Sequence, residues 1–175
     1  MKDKIKPTLV LTVICIIAAF LLVMAYEATK ESISAQQVKK FQSSIENLFG
    51  DCDYKLLDEN FGSENISAIA VTSDNKTAFQ ICVDGYSKDG IEVLIGINEN
   101  GAVSGIEFVS LGETPGLGTK VRDEASFRKQ FIGASDTDYQ FDAVTGATYS
   151  SKGMKKAVDT VIDIYNENKE AILNG

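Results

Sequence analysis

The residues best suited to chemistry lie near the end of the chain, in the run Asp142-Ala143-Val144-Thr145-Gly146-Ala147-Thr148-Tyr149-Ser150-Ser151. Two threonine hydroxyls flank Gly146 and Ala147, the smallest pair of side chains available, so another molecule can approach the backbone closely. The spacing predicts an amphipathic helix from Ser151 onward, with Thr148 just before its N-terminus. Unpaired N–H groups and the positive end of a helix dipole favour a phosphate at such a place. A plain loop followed by a serine cap accounts for the same residues without a ligand.

A second stretch, Gly112-Glu113-Thr114-Pro115-Gly116-Leu117-Gly118-Thr119-Lys120, puts a carboxylate and a cation on one glycine-rich loop. It is not a P-loop, because Leu117 stands at the second glycine position and a threonine precedes the lysine. It lacks the third glycine of a dinucleotide fingerprint as well. Pro115-Gly116 predicts a tight turn, and the glycines suggest a backbone passing close to something flat or anionic. A surface turn with ordinary charges is the plainer alternative.

Composition narrows the chemistry. The 175 residues carry a formal net charge of -8, which argues against an extended nucleic-acid footprint. There is no histidine, so Ser-His-Asp and Cys-His catalysis and the usual His-bearing zinc sites are excluded. Cys15 lies in an apolar run, and Cys52 and Cys82, 30 positions apart, fit neither a CxxC nor a haem signature. The latter two suit either a disulfide outside the cytoplasm or two separate buried thiols. The side chains offer no catalytic set and no metal set, so redox chemistry here requires a bound cofactor.

The elements that must position these residues follow from patterning. Lys2, Lys4 and Lys6 precede an uncharged run of 20 residues from Pro7 to Tyr26, which as a helix spans roughly 30 Å, one hydrocarbon thickness. The positive-inside rule keeps residues 1–6 in the cytoplasm and places the rest beyond the membrane. The run exceeds a usual signal-peptide core, although Val23-Met24-Ala25 resembles a cleavage site, so an uncleaved anchor over 7–26 is expected. A juxtamembrane helix is expected over 27–50, with Val38, Phe41, Ile45, Leu48 and Phe49 on one face and Gly50-Asp51 as its end.

The domain proper is expected over 51–175. Strands are predicted at Ile66–Thr72, Thr77–Val83, Ile91–Ile97 and Ala102–Val109, with turns at 73–76 and 98–101. Phe127, Phe131 and Ile132 read as a short helix over the core, ending at Gly133. The last helix buries Met154, Ala157, Val158, Val161, Ile162 and Tyr165, and bears Lys152, Lys155 and Lys156 near its start. The fold class is α+β: one N-terminal transmembrane helix, then an antiparallel sheet with flanking helices.

The order Asp-x-x-Thr-Gly-Ala-Thr resembles the attachment signal of covalently flavinylated proteins. Together with the anchor, the strand hairpin and Glu-Thr-Pro-Gly-Leu-Gly, it resembles the G subunits of Rnf electron-transport complexes over essentially the whole chain. The resemblance implies an FMN-binding domain with FMN joined by a phosphoester to Thr148. Asp142, Thr145, Gly146 and Ala147 frame the site for a flavin transferase, which takes FMN from FAD. It further implies that Glu113, Thr114, Gly116, Leu117, Gly118 and Lys120 border the flavin. Partners would be the other subunits of a membrane ferredoxin:NAD+ oxidoreductase coupled to sodium or proton movement, among them the other covalent-FMN subunit. Relatives often carry a histidine shortly before Glu-Thr-Pro-Gly; Leu111-Gly112 stand there in this chain.

The C subunit of the sodium-pumping NADH:quinone oxidoreductase shares the attachment logic and is longer. A flavin-binding extracytoplasmic sensor would need a cytoplasmic output region, and only six residues precede the anchor. An anchored adhesion domain would hold no flavin.

Overall fold

The structure, a computed structural model, describes residues 2–174, with side chains for residue 7 and residues 9–174. The cytoplasmic segment expected over 1–6 thus lies outside the residues whose side chains are described.

The chain opens with one helix, α1 (Lys2–Phe49), which covers both the segment expected as an anchor and the expected juxtamembrane helix. Residues 27–30 contain neither proline nor glycine, so nothing in the sequence forces a break there. From Leu9 the helix is long and apolar enough to cross a bilayer, and its large apolar side chains from Leu9 to Tyr26 are exposed. It ends at Gly50, which adopts φ +81° and donates its N–H to the Glu46 carbonyl at 2.9 Å. Residues 1–40 and 41–175 form two compact units.

The second unit is built on a five-stranded antiparallel meander: β1 (Tyr54–Leu57), β2 (Ile66–Thr72), β3 (Thr77–Val83), β4 (Ile91–Ile97) and β5 (Val103–Leu111), in sheet order β1-β2-β3-β4-β5. Three strands have the predicted bounds, and β5 starts one residue later and ends two residues later than predicted. β1 escapes the sequence reading because it is an edge strand of four residues without clean alternation. The register pairs Phe79 with Ile95 and Ile81 with Val93 at the centre of the sheet. Period-2 alternation then sends two sets of side chains to opposite faces.

One face carries Ile69, Phe79, Ile81, Val83, Ile91, Val93 and Ile95 and buries them against the last helix, α4 (Thr148–Asn174), through Met154, Val158, Val161 and Tyr165. The other face carries Ala70, Ala78 and Leu94 beneath Phe41 and Ile45 of the last turns of α1. Gly96 and Gly105 pair across β4 and β5 on that side. A Cβ at Gly96 would meet the Phe49 ring at 3.0 Å, and one at Gly105 would meet Leu48 Cδ2 at 2.6 Å. Paired glycines therefore let the helix end settle on the sheet. The core lies in both layers.

Two short helices, α2 (Lys120–Asp123) and α3 (Ala125–Lys129), follow β5. Phe127 and Phe131 are buried as predicted, whereas Ile132 is exposed. Cys52 and Cys82 are free thiols. Burial raises the pKa of each, so neither is primed as a thiolate.

Candidate functional site

Helix α4 begins at Thr148 itself, three residues before the predicted start. The Ser151 N–H donates to the Ala147 carbonyl at 2.8 Å, which opens the helix ladder. By helix geometry the N–H groups of residues 148–150 have no intrahelical acceptor. The Ser151 hydroxyl is turned back, accepting the Val144 N–H at 3.0 Å, and so fixes the approach to the helix. Thr148 is exposed at this end, beside the buried Ala147 and Ser150.

The segment leading to Thr148 has no regular structure, and side chains from elsewhere hold it. Phe127, Phe131, Tyr139 and Phe141 form a cluster of edge-on and tilted rings with centroids 5.3–6.0 Å apart. The Gln130 amide clamps Asp142 twice: Oε1 accepts the Asp142 N–H at 2.8 Å and Nε2 donates to its carbonyl at 3.1 Å. Lys120 Nζ donates to the Thr145 carbonyl at 3.3 Å. Gly146 takes φ +81°, a conformation glycine adopts without strain. Asp142 is itself exposed. The helix α3 and the turn of residues 130–133 that follows it thus do more than cover the core: they tie down the run that carries the two threonines.

Glu113 holds a third segment, the loop between β3 and β4. Its carboxylate, on a side chain only 5% exposed, accepts the N–H groups of Tyr86 at 3.2 Å and Ser87 at 3.0 Å, and the Ser150 hydroxyl. Three glycines make room for it. A Cβ at Gly85 would stand 2.6 Å from Glu113 Oε1, one at Gly90 2.5 Å from the same oxygen, and one at Gly118 would overlap Oε2. The close approach expected at Gly118 is therefore to Glu113, inside the protein. Gly116 takes φ +75° with open space beside it and serves the turn, its N–H donating to Thr119 Oγ1 at 2.9 Å.

Gly153, one helical turn into α4, completes the assembly. A Cβ there would overlap the Asp84 carbonyl oxygen. Gly153→Ala must push α4 away from the β3–β4 loop, and because the obstacle is backbone the expected cost is about 1–3 kcal/mol. Urea unfolding of the full-length protein in detergent, followed by tyrosine fluorescence, should show the loss; unchanged stability would mean the contact is loose.

These segments enclose a cavity of about 410 Å³ lined by Tyr86, Glu113, Thr114, Leu117, Gly118, Gly146, Ala147, Thr148, Tyr149 and Ser150. The structure thus brings together both sequence motifs. Lys120, Thr145 and Gly116 are not in the lining; the Lys120 side chain is bonded to the Thr145 carbonyl instead. Lys155, near the start of α4, is occupied elsewhere: Nζ donates to Asp159 Oδ2 at 2.7 Å and lies 4.6 Å from the centre of the Tyr139 ring. Tyr86 and Tyr149 escape the sequence reading. Both are exposed, and their rings meet edge to face at 6.3 Å. No sequence signal for Tyr86 exists, since it reaches the site only through the β3–β4 turn; Tyr149 is signalled by its place next to Thr148. A wider cleft of about 750 Å³ lies between β1, β2 and their connecting loop, away from both motifs.

The lining fits a phosphorylated planar cofactor. Its volume is that of an ordinary small-molecule site, and its lining combines the Thr148 hydroxyl at a helix start with the apolar surfaces of Leu117, Tyr86 and Tyr149. Comparison with known proteins agrees. Residues 85–163, which include both motifs, match the FMN-binding domain family. The G subunit of the ion-translocating oxidoreductase complex of Vibrio vulnificus (strain YJ016) is 27% identical over 195 residues, covering 97% of this chain and 92% of that protein. The corresponding proteins from Aliivibrio fischeri (strain MJ11) and Pseudoalteromonas atlantica (strain T6c / ATCC BAA-1087) are 26% and 28% identical, with 96% and 97% of this chain and 93% and 91% of theirs covered. Residues 85–163 are thus similar to the FMN-binding domain family, and the chain as a whole is similar to the G subunits of ion-translocating oxidoreductase complexes.

Proposed function

We propose that this protein is the FMN-bearing electron-relay subunit of a membrane-bound ion-translocating oxidoreductase complex, with FMN joined through its phosphate to Thr148 Oγ1. The observation that carries the reading is the placement of Thr148: last in Asp-x-x-Thr-Gly-Ala-Thr, first in α4, exposed, and lining the cavity. In the attachment step Thr148 Oγ1 bonds to the flavin-proximal phosphorus of FAD, its proton departs, and the phosphoanhydride breaks to release AMP. A flavin transferase that recognises the frame of Asp142, Thr145, Gly146 and Ala147 would catalyse it.

Once attached, the isoalloxazine supplies reversible electron acceptance and donation. The chain's own residues bind and orient it. The N–H groups at the start of α4 would hold the phosphodiester, and Glu113, Thr114, Leu117 and Gly118 would form one wall of the ring site. Thr148 acts as a link and not as a catalyst. A cofactor that cannot dissociate suits a fixed relay between the ferredoxin-side and NAD-side subunits, the other covalent-FMN subunit among its neighbours, with sodium or proton movement coupled elsewhere in the complex.

The membrane arrangement in this reading follows from charge and length. Residues 1–6 are cytoplasmic, 7–26 span the bilayer, 27–50 continue the helix beyond it, and 51–175 form the extracytoplasmic domain. N-terminal sequencing of the protein from the membrane fraction should return the residues at the start of the chain. A mature terminus near Tyr26 would show that the segment is removed. The function is tested by purifying the complex that contains the full-length protein, with and without the transferase. Ferredoxin-dependent NAD+ reduction is expected only when this subunit bears flavin; equal rates from the flavin-free subunit would refute the relay.

A further inference from the structure

Among the described residues of the second unit, five large apolar side chains are exposed: Leu56, Tyr86, Leu117, Ile132 and Tyr149. Three of these five, Tyr86, Leu117 and Tyr149, line the cavity that Thr148 opens onto. Tyr86 is 74% exposed, Tyr149 68% and Leu117 51%. Apolar surface gathered in this way marks a contact site. The position of Tyr86 is built: the buried Glu113 carboxylate takes its N–H, and the glycine at 85 leaves the space that this carboxylate fills. Tyr149 is fixed by its place in the first turn of α4.

Resting on the reading that FMN is attached at Thr148, we infer that Tyr86 and Tyr149 are ring-contacting residues, between them holding the isoalloxazine by face and edge. Their ring planes stand 70° apart. They therefore make a corner and not a parallel slot. A flat aromatic system seated in the corner lies on the face of one phenol and meets the edge of the other, both favourable arrangements. Leu117 adds a third apolar surface to the same lining. The slot expected of the Glu113–Lys120 loop alone is thus completed by two residues outside that loop. The phenol groups have a further property. A photoexcited flavin takes an electron from a phenol in contact with it and returns the electron in the dark, so a flavin in this corner fluoresces weakly.

The test uses the full-length protein made with the flavin transferase. Variants Tyr86→Leu, Tyr149→Leu and the pair together are compared with Tyr86→Phe and Tyr149→Phe. Peptide mass spectrometry first gives the flavin occupancy at Thr148, and fluorescence lifetime and visible absorption are then read per flavin. Both side chains are exposed, so their removal is not expected to unfold the domain. Each leucine variant should keep its flavin, shift the visible band and gain fluorescence severalfold, the double variant most. The phenylalanine variants should gain fluorescence while keeping the wild-type band, because they retain the ring surface and lose the phenol donor. If leucine variants fail to accept flavin, the phenylalanine pair decides the matter by lifetime. Flavinylated variants with wild-type lifetimes and bands would overturn the inference while leaving attachment intact, even if complex assembly weakened, for the rings would then serve a protein contact. Wild-type protein with no flavin on Thr148 would overturn the attachment reading and this inference with it.

Discussion

Thr148→Ala is expected to give a folded, membrane-bound protein with no covalent flavin. The substitution removes the acceptor oxygen, and alanine is the best helix former, so α4 keeps its first turn. Thr148 is exposed, and its loss leaves no buried group unpaired. Electron transfer through the complex should therefore fall to background without a change in stability beyond about 0.5 kcal/mol. Thr145 offers the same hydroxyl chemistry three residues earlier, but it lies outside the cavity lining, with its carbonyl engaged by Lys120, and it is not at a helix start. Thr145→Ala removes part of the frame that the transferase reads and should lower the amount of flavin attached, but the flavin that is attached should still be on Thr148. Thr148→Ser retains the hydroxyl and should retain part of the attachment. Mass spectrometry across residues 141–152 decides among these outcomes: the mass of FMN less one water on Thr148 is expected. The same mass on Thr145, or on neither residue in the presence of the transferase, would sink the central reading.

Removing the Glu113 carboxylate should produce the second large effect, and of a different kind. Glu113→Leu strands the N–H groups of Tyr86 and Ser87 and the hydroxyl of Ser150, each at about 1–3 kcal/mol when buried and unpaired. The three are coupled through one side chain, so a total of about 3–5 kcal/mol is expected, which lowers Tm by roughly 10 °C or more in a domain of this size. The branched side chain also meets the glycine walls at 85, 90 and 118. Glu113→Gln keeps one carbonyl acceptor but turns an NH2 toward backbone donors. It should lose less, yet still loosen the β3–β4 loop from the start of α4. The flavin spectrum separates a scaffold from a ring contact: with Glu113→Gln the Tm should fall, and the visible band should shift no further than in Tyr86→Leu, because Glu113 reaches the ring only through the loop that carries Tyr86. A Glu113→Leu protein that melts at the wild-type temperature would show that the buried carboxylate ties nothing together.

The two substitutions differ because the two residues hold different places in the hierarchy. Thr148 is a chemical terminus that the fold presents to solvent. Glu113 is an internal tie between three segments far apart in sequence, at residues 85–90, 112–120 and 148–153. The sequence reading assigns Glu113 to the flavin border on the strength of its loop. The carboxylate does line the cavity, but its two oxygens are spent on the protein itself.

What the sequence by itself determined was whatever has a short-range physical cause. Hydrophobic period fixed three strands to the residue and placed the buried stripe of α4. An uncharged run of 20 residues marked a helix long and apolar enough to cross a bilayer, while the choice of Thr148 as the candidate acceptor came from the resemblance of Asp-x-x-Thr-Gly-Ala-Thr to a flavinylation signal. Only the tertiary structure decided how the motifs meet. The edge strand β1, the partners of Glu113 and the corner made by Tyr86 and Tyr149 all depend on contacts between residues far apart in sequence. No local period encodes such a contact. Gly153 illustrates the reason: within its helix it reads as a weak residue, and the cause of its presence is a carbonyl at Asp84, 69 positions away in sequence and in van der Waals reach in space.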